Sequence, residues 1–202
     1  MARVCALLLL LLLPGACGPS APKLPPLPED ALVLAFGDSL TFGTGATADT
    51  SYPAVLEGLI RRKVVRAGVP GEVSARGLQR LAGALEQYRP DLLILCHGGN
   101  DILRLKDDRK TAANIRAMVE LARGQGVEVV LIGVPKPGLF LSDGAGFYER
   151  IAEALDVPYA GEILAEILGS PSLTSDTVHP NAAGYRKLAE ALAALLRRSG
   201  AI

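Results

Sequence analysis

A serine, an asparagine and an Asp-x-x-His pair stand in this chain at places suited to acyl transfer. Ser39 follows Gly37-Asp38 at the end of the apolar run Leu32 to Phe36, and Asn100 lies in Gly98-Gly99-Asn100-Asp101 just after Leu92 to Cys96. A serine hydroxyl at its ordinary pKa is a poor nucleophile, so a base must lie within hydrogen-bond reach. The chain has two histidines. His97 directly follows a predicted strand, which suits a structural or pocket-wall residue. His179 stands three residues after Asp176 and immediately before Pro180. In an Asp-x-x-His turn the carboxylate reaches back to one ring nitrogen, fixing the tautomer and leaving the other nitrogen to take the serine proton. Glycine lets backbone N–H groups approach a developing oxyanion closely, and the asparagine amide adds a neutral donor. Asp38 and Asp101 are expected as turn-stabilising carboxylates in their loops.

These residues need elements that bring them to one edge. Alternating apolar runs and helix-period segments predict strands at 32–36, 64–65, 92–96, 127–134 and 157–159. Helices are predicted from Tyr52, from Ser74, over 111–123 and over 147–155, with a last one carrying Tyr185, Leu188, Leu192, Leu195 and Leu196. Between the fifth strand and Asp176 the chain reads as irregular. Strand–helix alternation implies a parallel sheet between helical layers. In such a sheet Gly37-Asp38-Ser39, Gly68-Val69-Pro70-Gly71 and Gly98-Gly99-Asn100-Asp101 collect at the carboxyl ends of the strands. Leu139-Phe140-Leu141 and Phe147 are candidates for the wall of an acyl pocket.

With 202 residues, half of them apolar, and no formal net charge, a single globular body is expected. No dense Lys/Arg stripe marks a nucleic-acid surface. The first residues read differently. Arg3, the apolar run Ala6 to Leu13 and the small residues Gly15-Ala16 before Cys17 describe a secretory signal over 1–16, too short to span a bilayer. Gly15-Ala16-Cys17 resembles the end of a bacterial lipobox, which implies lipidation at Cys17 and a membrane-anchored or periplasmic protein of a bacterium. Residues 17–30 carry Pro19, Pro22, Pro25, Pro26 and Pro28 and read as an extended tether before a domain over 31–202. Cys5 and Cys17 fall in the signal, so Cys96 is alone in the body; neither an internal disulfide nor a zinc site is expected. A monomer without cofactor or metal is expected.

One competing motif fits on paper. Gly43-Thr44-Gly45-Ala46-Thr47-Ala48 satisfies the dinucleotide pattern, with Arg66 at the end of the second strand. That fingerprint needs its glycines directly after a strand and opening a helix. Here six residues separate Phe36 from Gly43, and Pro53 would fall inside the required helix. The Gly-x-Ser-x-Gly elbow of the α/β-hydrolases is absent too, because Thr41 takes its last position.

Gly37-Asp38-Ser39-Leu40, Gly71, Gly99-Asn100-Asp101 and Asp176-x-x-His179 resemble the four blocks of the GDSL/SGNH hydrolases, most closely the bacterial thioesterase I/lysophospholipase/arylesterase subgroup. The resemblance covers Leu32 to about Leu196. It implies a flavodoxin-like three-layer α/β/α sandwich with a five-stranded parallel sheet. It implies a serine esterase that cleaves carboxylic ester or thioester bonds of a small-molecule substrate through an acyl-enzyme on Ser39, with His179 as base and Asp176 orienting it. The N–H groups of Ser39 and Gly71, with the Asn100 side chain, would form the oxyanion hole. Where the subgroup reads Asn-Ala-Gly-x-Ser-Gly-Asp, this chain has Arg66-Ala67-Gly68-Val69-Pro70-Gly71-Glu72, a change that bears on how the loop is supported. A carbohydrate O-deacetylase of the same family and a non-catalytic exported binding module are the alternatives.

Overall fold

The computed structural model describes residues 22–136 and 146–202. The expected signal, its lipidation site and Leu139-Phe140-Leu141 lie outside these residues. Strand β1 (Leu32–Gly37) runs into a short helix α1 (Ser39–Phe42), and α2 (Tyr52–Ile60) leads to β2 (Lys63–Gly68). Next come α3 (Ser74–Tyr88), β3 (Leu92–Cys96), a short α4 (Gly99–Leu103) and α5 (Asp108–Gly124). The chain continues through β4 (Glu128–Ile132), α6 (Phe147–Leu155), β5 (Tyr159–Ala160), α7 (Ile163–Leu168) and α8 (Ala182–Ser199).

The five strands are parallel in the order β2-β1-β3-β4-β5. Val33 to Phe36 and all of β3 are fully buried, as expected for strands covered on both faces. Helices α2, α7 and α8 pack together, and α3, α5 and α6 form a second group. The chain leaves β1 for β2 on one side and returns to β3 on the other. A crevice therefore opens at the carboxyl ends of β1 and β3, where the strand order reverses. Both chemistry-bearing loops flank that crevice.

The sequence reading holds for the five parallel strands, apart from their bounds, and three of its differences from the structure bear on the fold. Strand β2 is longer than expected because it pairs with β1 from Leu32↔Lys63 to Gly37↔Gly68. The stretch read as irregular contains α7, whose six residues are too few for a helical period to stand out. Its Leu164, Ala165 and Ile167 are buried.

The third difference corrects the tether. Leu24, Leu27 and Ala31 are buried on the body. The Leu24 and Leu27 N–H groups donate to the carbonyls of Ser199 and Ala201 at 2.9 and 2.8 Å. Prolines keep this stretch extended, and Leu24 and Leu27 between them turn onto the apolar surface of the body. Residues 24–31 thus form a strap along the end of the molecule where α8 finishes.

Candidate active site

Asp38 closes β1 and begins the site. Its Oδ1 accepts the Leu40 N–H at 3.1 Å, capping α1 and presenting Ser39 at that helix's first position. Gly37 is obligatory here, since a Cβ would sit 1.9 Å from the Cys96 carbonyl oxygen. Asp38 is 1% exposed. That burial raises its pKa, against the pull of the His97 ring and the hydrogen bonds it accepts. Asp38 Oδ2 also accepts Asn100 Nδ2 at 3.3 Å. The carboxylate therefore braces two loops, as expected of it, and the histidine that faces Ser39 pairs with Asp176 instead.

His179 and Asp176 come from the loop before α8. Asp176 Oδ1 accepts the backbone N–H groups of Val178 and His179, both at 2.8 Å, and its Oδ2 lies 2.8 Å from His179 Nδ1. Burial raises the Asp176 pKa, but the His179 hydrogen bond and the two N–H donors outweigh it and hold the carboxyl down. Because Nδ1–H donates to this carboxylate, Nε2 is the acceptor. It stands 3.0 Å from Ser39 Oγ, 140 residues away in sequence. The serine, histidine and aspartate singled out from sequence are thus brought into one hydrogen-bonded line.

The Gly43-Thr44-Gly45 segment supports this line and, unlike a dinucleotide fingerprint, opens no helix of its own. Gly43 caps the end of α1 at φ +89°. Gly45, at φ +94°, lies so close to the histidine loop that a Cβ would meet Ser175 Oγ at 2.1 Å and the Pro180 carbonyl at 2.6 Å. Tyr185 of α8 donates to the Thr44 carbonyl at 2.8 Å. Of the two glycines that fit the phosphate-cradle pattern, Gly43 ends α1 and Gly45 lets two loops touch.

Asn100 sits in the first turn of α4, and Nδ2 donates to the Glu72 carbonyl at 3.1 Å. Gly71 adopts φ +77°. The Glu72 that follows it is tied to the cleft shared by Ser39, Asn100 and His179 through its bond to Asn100. Asp101 accepts from the N–H and Oγ of Ser74 at 2.7 and 2.9 Å and so caps α3. Arg66 donates to the Phe42 carbonyl at 2.8 Å and lies over the Phe42 ring, which fastens β2 to α1. The cleft wall is apolar: Leu40, Ile102, Leu103, Val134, Leu168 and Val178 surround the polar base. Of the residues expected in that wall, Phe147 is instead buried against Tyr148, with ring centroids 4.3 Å apart. Among the described residues no cluster of His, Cys, Asp or Glu is arranged to hold a metal ion.

A parallel sheet with a serine and a histidine facing each other across its switch point defines a serine hydrolase of the α/β/α type. The chain belongs to the GDSL-like lipase/acylhydrolase family, whose sequence model matches residues 35–187. It is 29% identical over 156 residues to thioesterase 1/protease 1/lysophospholipase L1 of Escherichia coli strain K12, covering 74% of this chain and 75% of that protein. It is 28% identical over 170 residues to esterase TesA of Pseudomonas aeruginosa, covering 78% and 84%. Among solved structures, AlinE4, an SGNH-hydrolase family esterase, superposes with a TM-score of 0.67 at 30% identity, covering 86% of this chain and 98% of that one. The chain is a serine esterase, a hydrolase of carboxylic esters.

Proposed function

We propose that Ser39 is the nucleophile, His179 the general base and Asp176 the group that orients it. The Ser39 and Gly71 N–H groups and the Asn100 amide stabilise the oxyanion. The observation that carries this reading is the pair of contacts at His179, 2.8 Å to Asp176 and 3.0 Å to Ser39. Ser39 Oγ attacks the ester or thioester carbonyl carbon while its proton moves to His179 Nε2. The tetrahedral intermediate expels the alcohol or thiol, which leaves with that proton, and an acyl group remains on Oγ. Water then attacks the acyl carbon, giving a proton to His179, and collapse releases the acid and restores the serine.

Asn100 has two N–H bonds on Nδ2, directed at the Glu72 carbonyl and at Asp38 Oδ2. The longer, at 3.3 Å to Asp38, is the one a substrate oxyanion would take over. Donation would then strengthen as charge develops, which is what lowers a barrier rather than merely tightening binding. The apolar wall suits the hydrocarbon of a short or medium acyl chain, with the leaving group toward solvent. We place the enzyme outside the cytoplasm, held to a membrane by lipid on Cys17.

Hydrolysis of p-nitrophenyl acetate and butyrate tests the assignment. Ser39→Ala and His179→Ala should each lower kcat by at least about 10³-fold; full turnover in either would refute it. A profile of rate against acyl length should peak at short to medium chains, and mass spectrometry of the native N-terminus tests Cys17.

A further inference from the structure

Behind the loops that carry Gly71 and Asn100 lies a half-buried ionic cluster that no step of the reaction uses. His97 is wholly buried, and its Nε2 lies 3.1 Å from Glu72 Oε2. The Gly98 N–H donates to His97 Nδ1 at 2.9 Å, so Nδ1 is an acceptor and Nε2–H is the donor to Glu72. Arg80 of α3 adds Nε at 3.0 Å to Oε1 and Nη2 at 2.7 Å to Oε2. The same guanidinium reaches the Ala67 and Gly37 carbonyls, each at 3.2 Å, and lies 3.9 Å over the Phe36 ring. Gly77 of α3 leaves a slot for the imidazole, since a Cβ there would come within 2.2 Å of Nε2.

Desolvation offsets much of the attraction in such a pair, although removing one partner from it is costly. A cluster of this kind fixes geometry, and what it fixes here is specific. Glu72 follows Gly71, and its own carbonyl receives Asn100 Nδ2. His97 precedes Gly98, whose N–H it receives and whose backbone, at φ +101°, starts the turn into Asn100. One imidazole therefore sets the position of both loops.

We infer that His97, held by Glu72 and Arg80, is a positioning residue that fixes the spacing between the Gly71 N–H and the Asn100 amide. The inference rests on the proposed role of those two groups. His97 touches no reacting atom and acts through the second and third strand-end loops.

A double-mutant cycle on p-nitrophenyl butyrate hydrolysis separates this from a merely structural role. His97→Leu should lower kcat by about 10- to 100-fold, the scale expected of a slightly misplaced donor, with KM changed less than about threefold. In an Asn100→Ala background the same substitution should cost less than about threefold in kcat, because the donor it positions is already gone. His97→Gln, which keeps an N–H toward Glu72, should recover most of the lost kcat. If His97→Leu does not fold, Glu72→Gln takes its place in the cycle, with a loss of about 3- to 10-fold that likewise vanishes without Asn100. Equal losses in both backgrounds, or undiminished kcat in folded His97→Leu, would overturn the inference alone. Undiminished kcat in Asn100→Ala would overturn the donor assignment and the inference with it.

Discussion

At the scale of single residues, the 3.0 Å contact between Ser39 and His179 and the neighbouring amide of Asn100 concentrate the chemistry. Replacing Asn100 by Ala should lower kcat by about 10² to 10³ while leaving the fold intact, as loss of one oxyanion donor does elsewhere; steady-state kinetics with a melting curve as control would check this. Ser39, Asn100, Asp176 and His179 were legible as candidates because each stands in a connection between the longer elements, where chemistry is written in adjacent letters. Glu72 was not. Its difference from the subgroup's aspartate stood out, but its meaning depends on Arg80, eight residues on, and His97, 25 residues on, and no local pattern joins them. Burial raises the Glu72 pKa, but hydrogen bonds from His97 and Arg80 and the Arg80 charge bring it down to about 2, against an ordinary 4.5. The unfolded chain therefore takes up a proton near pH 4.5 that the folded one refuses until about 2, so this group's contribution is complete above that window and fades as pH falls through it. Urea unfolding should show Glu72→Gln clearly less stable than the parent at pH 7, with the gap narrowing between pH 4.5 and pH 3.

The elements around the site carry local rules broken for a reason. Glycine inside a helix is normally a weakness, and Gly→Ala there usually stabilises by about 1 kcal/mol. At Gly77 the sign should reverse, because the added methyl would strike the His97 ring. Thermal unfolding of Gly77→Ala should show a lower Tm, with a fall in kcat as the imidazole shifts. Gly45 poses the same question across two loops, and its positive φ forbids an easy answer. The strands and the longer helices could be read from their periodicity, since buried parallel strands are near-continuous apolar runs. Helix α7 could not, and neither could the strap: proline-rich composition signals extension, but whether an extended segment is free or seated depends on a surface elsewhere in the chain.

For the molecule as a whole, the two ends of the sheet have separate duties. Loops at the carboxyl edge hold the reacting groups, and the opposite edge is closed by residues 24–31 against the end of α8. Because the duties are separate, damage to one end should spare the other. The Leu24→Ala, Leu27→Ala double variant should lose a few kcal/mol of stability, as truncation of buried leucines does, and retain the parent's kcat and KM on p-nitrophenyl butyrate. Denaturant titration and steady-state kinetics on the same preparation would show whether the two quantities part company.

The strap also fixes which end of the body lies nearest residue 17. Helix α8 starts three residues after His179 and ends beside Leu24, and its 18 residues extend about 27 Å. From residue 22 back to residue 17 there are five steps, a leash of at most about 18 Å. With a lipid at Cys17 the anchor and the mouth would lie at opposite ends of the body, about the length of α8 apart.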